Sequence, residues 1–514
     1  MGALIPITGI GPDFKTPGAY AEIVFAQGPA SAAAGTREVV FVMPKLSSGS
    51  WTAATLYGPI ANEAEVSAGA GNGSPLHRAA RIFLQENKDA KVWALPVAET
   101  SGGSPVAATA TAVLATTATG TGIATVTICG EDCSYTFESG ETPTNIGDGL
   151  VEAINGKTWL PVTAANVTGT VTLTAKLLGA SQGTATVRVI GTRGSITAGV
   201  GTTLTVSTHL GAVVAGADGT TTEPASFLTA LSTIDSVRKY YIVSSGNTAT
   251  YYTNLQTHIT TKSAPKRGYR SIGIVAYVGT QAAAVTLATG RNYERLNLIN
   301  QANSDHDCAE LAGWWAAKRQ EGEGVDTAKN FDSTTGPMLK RAFNPADWPD
   351  PDEQSDAIND GVTVVATNDT TAYVVMSVNT RSKNSTGTVD DFRATETHRV
   401  SVADEFVDET LIDWALNHAQ KKLSDDERLA NGQVNPVQRL RRGVITPSSY
   451  APTLKKRIQD FVDAEKLQEA EASKASVRVV KSPVNSGRLE AGLDIRAIDH
   501  AHQLTLRAAE VSTG

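Results

Sequence analysis

No run of about 18 apolar residues occurs in this chain of 514 residues, so no membrane-spanning helix is expected. A basic excess is also missing. Lys and Arg number 44 against 52 Asp and Glu, a formal net charge of −8. A general nucleic-acid binder needs a cationic surface to neutralise phosphates, so no direct nucleic-acid partner is expected. Cysteine is scarce and odd in number (Cys129, Cys133 and Cys308), which suits a reducing compartment and speaks against a disulfide framework. Aromatics make up only 6% while Gly, Ala and Thr abound, a mix of extended assemblies and β-rich modules more than of pocket-bearing enzymes. The first twenty residues, MGALIPITGIGPDFKTPGAY, lack the basic region and apolar core of a secretory signal. Pro6 stands where a myristoylation motif requires Ser or Thr.

What is present predicts two to four domains, each long enough to bury a core. Residues 1–26 read as an extended arm, because Pro6, Gly9, Pro12, Pro17 and Gly18 disfavour a helix, and the arm ends in a short strand Ala21–Phe25. A β–α–β start follows. Arg37–Met43 is a buried strand, Ser74 caps a helix with Pro75 at its first position, and Lys91–Val97 is the next strand. From 101 to 215 the texture turns to Thr, Ala, Gly and Val with few charges. This reads as an inserted, mostly β outer domain with one helix near Asn145–Ile154. The β–α units then resume, so 27–100 plus 216–358 form a layered α/β middle domain, with 321–357 a Pro-rich linker. The fold class expected is therefore multidomain α+β and α/β, with a C-terminal α+β inner domain at 359–500. Its helices lie near 404–430 and 450–474, and a second extended arm at 501–514 carries the strand Gln503–Arg507.

The inner domain is expected to open on a hairpin, GVTVVATNDTTAYVVMSV, with strands Val362–Ala366 and Ala372–Val378 around the turn residues Asn368 and Asp369. A two-stranded ribbon is barely stable alone and calls for a further strand or a covering helix. Its residues Val362, Val364, Val374, Val375 and Val378 are the expected recipient sheet for strands donated by other subunits. The donors would be Ala21, Glu22, Ile23, Val24 and Phe25, and Gln503, Leu504, Thr505, Leu506 and Arg507. Arg488–Arg496 is a further candidate recipient.

Motifs that imitate chemistry fail on context. Gly149…Gly156-Lys157-Thr158 has six residues between the glycines where a phosphate-binding P-loop needs four. Gly179-Ala180-Ser181-Gln182-Gly183 matches the nucleophile-elbow pattern but lies between strands. Gly69–Ser74 precedes a helix, and a phosphate or nucleotide held there by a soluble α/β enzyme is the alternative reading of the chain. Cys129 and Cys133 have no neighbours to complete a metal set, Asp305-His306-Asp307-Cys308 reads as a helix cap, and His500-Ala501-His502, which could bind a metal as alternate residues on one strand face, reads first as two surface histidines. No catalytic residue, cofactor or metal is expected. A self-assembling surface-layer or adhesive protein is a third reading, prompted by the Thr/Ala/Gly-rich insert.

Several stretches together resemble the tail sheath proteins of contractile-tailed bacteriophages, the Mu-like group. Thr16-Pro17-Gly18-Ala19-Tyr20-Ala21-Glu22-Ile23 is similar to the family's P-G-V-Y-x-E opening, with Ala19 in place of Val. Gly71-Asn72-Gly73-Ser74-Pro75-Leu76 with Ala79-Ala80 resembles its Gly-rich, Ser-capped helix, and Lys91–Val97 the strand after it. Val278-Gly279-Thr280-Gln281-Ala282, Gly290-Arg291-Asn292 and Glu310-Leu311-Ala312 fit its middle domain. The resemblance implies a non-enzymatic virion protein of stacked hexameric rings, wound around an inner tube that contraction drives through the host envelope. It implies assembly in the bacterial cytoplasm, with the tube, baseplate and tail terminator proteins as partners. Terminal arms would join neighbours, and an inner domain would face the tube. Asp425, Asp426, Glu427, Lys455, Lys456 and Arg457 are the tube-facing candidates on the charged helices.

Overall fold

The computed structural model describes residues 37–179, 192–196, 202–206, 216–342, 344–368, 371–384, 395–435 and 443–502. Both expected donor strands, Ala21–Phe25 and Gln503–Arg507, lie outside them. The described residues divide into two compact units, one made of 37–325 and 333–397, the other of 326–332 and 398–502.

The larger unit is built on a seven-stranded sheet. β1 (Val39–Pro44) is buried along its whole length, as a strand covered on both faces must be. Helices α1 (Glu63–Ala70) and α2 (Pro75–Glu86) lead to β2 (Val92–Val97), parallel to β1 with Val39 opposite Val92. Ser74 caps α2 as the sequence predicts, accepting from the His77 amide at 3.1 Å with Pro75 at the first position.

The chain then leaves the sheet through a neck, where Ser101 bridges Thr221 and Val106 bridges Ala217. Beyond the neck, β3 (Ala107–Ala115), β6 (Val162–Val167), β7 (Thr170–Leu178) and β9 (Thr203–Val206) form one antiparallel sheet in the order β6-β7-β3-β9. β4 (Gly122–Ile128), β5 (Glu131–Phe137) and β8 (Thr192–Ile196) form a second, with β4 central. Helix α3 (Pro143–Gly156) supplies Ile146, Leu150 and Ile154 to a core shared with Val126, Phe137, Val171 and Leu173. Alternation explains the charge-poor texture: β3 and β7 bury every second residue and leave Thr facing out.

Back in the main sheet, α4 (Glu223–Thr233), β10 (Tyr241–Ser244), α5 (Ala249–Ser263), β11 (Ile272–Tyr277), α6 (Gln281–Thr289), β12 (Leu296–Asn300) and α7 (Cys308–Val325) follow in turn. Strand order is β14-β13-β12-β11-β10-β1-β2, so the chain switches direction across the sheet between β1 and β10. The helix α7 crosses α2 so closely that a Cβ on Gly313 would stand 2.5 Å from the Ala79 carbonyl oxygen. The expected linker is a correction. Pro345 opens a 3-10 turn, and Pro351 opens α8 (Pro351–Asn359), capped by Asp350 and Glu353 in a reciprocal box. Proline at a helix's first position starts the helix, because the missing N–H had no partner there anyway.

A second correction concerns the hairpin. β13 (Thr363–Thr367) lies parallel to β12, and β14 (Ala372–Val374) is antiparallel to β13, so both complete the seven-stranded sheet. They do not open the following domain. The chain stays in the larger unit until Thr397.

The smaller unit contains α9 (Thr397–Asn417), β15 (Lys422–Leu423), β16 (Val444–Ile445), α10 (Pro447–Asp463), α11 (Ala470–Ser476), β17 (Arg478–Lys481) and β18 (Leu489–Gly492). The expected long helices are thus shorter: the first stops at Asn417, and the second breaks at Asp463 before α11. One core joins Ala328, Val402, Phe406, Ile458, Phe461, Leu467 and Ala497, with Phe406 edge-on to Phe461 at 5.3 Å.

Candidate functional site

The smaller unit carries a two-stranded antiparallel ribbon, β17 with β18, in register from Arg478 opposite Gly492 to Lys481 opposite Leu489. Val479 and Leu489 pack toward Tyr450 and Leu454 of α10 and toward Trp414 of α9. The connecting loop is closed by Ser482 donating to the Arg488 carbonyl at 2.8 Å. Among the described residues no third strand pairs with either β17 or β18. A four-residue edge turns half of its residues outward, enough for about four backbone bonds to an added strand, worth on the order of 2–6 kcal/mol in sum. An edge of this kind templates pairing with another extended segment. It overlaps the secondary recipient Arg488–Arg496 of the sequence reading.

The primary recipient does not offer the same opening. On its outer side, the Val374 amide donates to the Thr334 carbonyl at 2.9 Å, and the Val374 carbonyl accepts from Ser333 at 2.8 Å. Val375 donates inward to Val364 at 2.9 Å. Val378 is stitched to Thr363, whose hydroxyl both accepts from the Val378 amide at 3.0 Å and donates to its carbonyl at 2.9 Å. Asn297, buried in β12, donates to Thr363 at 2.9 Å and to the Val378 carbonyl and accepts from the Trp315 indole. Val362 is buried and donates to Ala357. β14 is the end strand of its sheet, but the outward backbone groups of Val374 are already paired with Ser333 and Thr334.

The six tube-facing candidates do not share one role. Asp426 accepts from the Ser448 amide at 3.1 Å in the first turn of α10, and Arg457 pairs with Glu409 of α9. Asp425 pairs with Lys481 of the ribbon at 2.9 Å, and Glu427 accepts from the Asn435 side chain at 3.4 Å. Lys455 and Lys456 are exposed on α10, with Lys456 reaching Asp460 at 2.8 Å.

The Gly69–Ser74 loop is occupied by its own chain. The Gly73 amide donates to His77 Nδ1 at 3.1 Å, and the Ser74 amide donates to the Gly71 carbonyl at 3.1 Å. Lys176 of β7 donates to Asn72 at 3.2 Å and to Thr158 at 2.7 Å. A Cβ on Gly73, whose φ is +83°, would collide with the Leu160 carbonyl oxygen, so the insert's backbone lies directly on the loop. A phosphate cradle needs amides turned to an open space, and these are committed. Burial pushes the Lys176 ammonium down to about 8, and it holds His77 down to about 4. Lys157 of the P-loop imitation donates to the Asp132 carbonyl at 3.0 Å.

Two buried ion networks escaped the sequence reading. In one, Arg78 of α2 meets Asp307 and, at 2.8 Å, Glu310 of α7. Asp307 caps α7, as expected, by accepting from the Glu310 amide at 2.6 Å. His306 Nε2 accepts from the Lys340 amide at 2.8 Å, so Nδ1 carries the proton toward Glu310, 3.2 Å away. Lys340 Nζ donates to the Cys129 carbonyl at 2.6 Å, which fastens the β4–β5 turn of the insert to the same cluster. Burial would raise the Glu310 carboxyl, but Arg78 and Lys340 hold it well below the usual range. Burial pushes the thiols of Cys129 to about 12 and Cys133 to about 11, which makes them poor ligands and nucleophiles at neutral pH.

In the second network Glu323 of α7, fully buried, meets Arg37 at 2.6 Å, Arg319 Nε at 2.9 Å and the Tyr241 hydroxyl. Arg37 stacks over Tyr240 at 4.2 Å. Neither network presents an open, water-reaching group in the manner of an active site. Their geometry binds helices and insert together. No motif in the sequence marks them, since Arg78 and Glu323 look like ordinary surface charges on α2 and α7.

No family model matches the chain, and no curated protein matches it. Among solved structures, it is similar to the sheath tail protein from Desulfitobacterium hafniense, at 12% identity and a TM-score of 0.45, over 94% of this chain and 99% of that one. It is also similar to a chain of the anti-feeding prophage baseplate, at 10% identity and a TM-score of 0.48, over 97% of this chain and 100% of that one.

Proposed function

We propose that this chain is a structural subunit of a contractile tail sheath of the phage type, polymerising as stacked hexameric rings around an inner tube that contraction drives through a host envelope. The open-edged ribbon β17–β18 in the smaller unit is the observation that carries the reading, because it can accept an extended segment without refolding. The donors in this proposal are Ala21–Phe25 and Gln503–Arg507 of neighbouring subunits. A lattice that contracts must stay joined while its other contacts change. Backbone bonds to donated strands supply the joint, and linkers absorb the displacement. Two arms per subunit strengthen the whole through effective concentration.

The smaller unit faces the tube, with Lys455 and Lys456 the contact candidates left exposed on α10. The inserted domain is assigned to the outside of the sheath. The tube, baseplate and terminator proteins are the partners, and assembly takes place in the bacterial cytoplasm. Contraction draws on new contacts between outer surfaces, with no nucleotide hydrolysed.

Negative-stain microscopy of the purified chain tests the core of this reading: rings or tubes are the expected result, and a monodisperse monomer at high concentration would overturn it. A variant lacking residues 1–26, and with them the donor strand Ala21–Phe25, should remain folded and soluble but not polymerise. Ordered tubes from that variant would remove the N-terminal arm from the account. Measured ATP or GTP turnover would count against the energetic part.

A further inference from the structure

We propose that the insert is a hinged body, pivoting on the neck at 101–106 and 216–221 and held against the α/β body by a polar latch that opens while both keep their folds. Its core, its neck and its fastenings each point to this. The apolar core of the insert is its own, since every residue of it, from Ala107 to Leu204, lies beyond the neck. The main sheet packs a separate core around Val40, Val42, Ile242, Leu255, Val275 and Leu298. Bodies joined by modest polar contacts move relative to one another by default, because no large apolar surface is exposed when they part.

The neck has the build of a pivot. Ser101 and Thr221 exchange backbone bonds at 3.1 and 2.9 Å, and Val106 and Ala217 exchange theirs at 2.9 Å. Thr100 ties the base, its hydroxyl donating to the Thr221 carbonyl at 2.9 Å and accepting from the Gly219 amide at 2.7 Å. Between the two bridges Gly102 and Gly103 are exposed, at φ +75° and +64°. Hinges are a few loop residues that absorb a change of φ and ψ, and glycine does so with the least strain.

Away from the neck the insert is fastened by long charged side chains. Lys340 of the body donates to the Cys129 carbonyl at 2.6 Å and lies 3.5 Å from Glu131. A Cβ on Gly130 would stand 2.9 Å from the Lys340 side chain, so the β4–β5 turn rests on that lysine. In the opposite direction Lys176 of β7 donates to the Asn72 carbonyl at 3.2 Å, beside the place where the Leu160 carbonyl lies over Gly73. Arg81 of α2 stacks over Trp159 of the insert at 4.8 Å. Each tie is one side chain on a carbonyl, a carboxylate or a ring face, so it breaks and re-forms without opening either core. Opening carries the insert away from α2 and from the stretch 333–342 as one piece. The hinge rests on no assignment of function.

Hydrogen exchange and spin-label distances on the full chain test it. Lys176→Met with Lys340→Met removes both lysine ties at nearly constant volume. Amides around Gly73 and in the β4–β5 turn should then exchange roughly 10–100-fold faster, the effect of losing a charged hydrogen bond on each side, while β3 and β7 keep the parent rate. Sodium chloride should loosen the same amides selectively in the parent chain, because it screens charged ties between partly exposed groups, and this arm needs no variant. Labels on Val167→Cys in the insert and Leu228→Cys on α4, both exposed, should give one distance in the parent chain and an added, longer one in the lysine variant. The native cysteines are buried and stay unlabelled. A single unchanged distance in the folded lysine variant, or acceleration of β3 and β7 in step with the latch amides, would overturn the hinge.

Discussion

Mild acid should weaken the larger unit well before its carboxylates titrate. Two buried histidines are responsible. Burial pushes His77 down to about 4, with Arg81, Arg78 and Lys176 adding repulsion. Burial also pushes His258 down to about 4, with Lys262 acting in the same direction and Asp235 opposing. Both folded values lie below the unfolded value near 6.5, so the unfolded chain takes up these protons first. The stability contributed is therefore complete at neutral pH and declines as pH falls below 6.5, until the folded groups themselves titrate near 4.

Between pH 7 and 5 each histidine is worth about 2 kcal/mol, and the two together about 4 kcal/mol. This is a large part of the 5–15 kcal/mol or so that a typical domain has to lose. Urea unfolding followed by tryptophan emission suits the measurement, because Trp51, Trp93, Trp159, Trp314, Trp315 and Trp348 all lie in this unit. The same slope should fall by half in His77→Gln and by half in His258→Gln. Stability that stays flat from pH 7 to 5, or a double variant that keeps the parent slope, would refute the reasoning.

Three further perturbations probe the packing. Gly313→Ala drives a methyl group against the Ala79 backbone, 2.5 Å from its carbonyl oxygen, and overpacking of two helices should lower stability by roughly 1–3 kcal/mol in thermal unfolding. Glu323→Gln strips the carboxylate from between Arg37 and Arg319 and leaves two buried cations; a loss of roughly 3–5 kcal/mol, with faster amide exchange in β1 and α7, is expected. Asn297→Ala takes from the Trp315 indole the Asn297 acceptor and from the Val378 carbonyl one of its two donors, Thr363 remaining, and should cost roughly 1–3 kcal/mol by denaturant titration.

Patterns that repeat locally were legible in the sequence. The apolar runs at Arg37–Met43 and Lys91–Val97 and the Ser74-Pro75 cap appear as read, because each is decided by neighbours within a few residues. The helix α6, QAAAVTLAT, was missed for the opposite reason. Its faces differ too little to show a period, and it is held through Ala284 and Ala288 against a core assembled from distant strands. The buried networks were invisible on the same principle. Arg78 lies 229 residues from Asp307, and only the crossing of α2 over α7 turns two ordinary charges into a pair.

The hairpin at 363–374 shows where local reading misleads about function. Its alternation and turn residues identify two strands correctly, but an edge is a property of the sheet and not of the strand. The sheet supplies β12 on one side, and the return of the chain at Ser333 and Thr334 closes the other at Val374. A donated strand would have to displace those bonds before making its own, so the net gain there is near zero. At β17–β18 no such exchange is required among the described residues, and each added bond contributes its full 0.5–1.5 kcal/mol or so. Strand addition to this chain is thereby expected at Arg478–Lys481 and Leu489–Gly492, and amide exchange there should slow on assembly while that of Val374 stays unchanged.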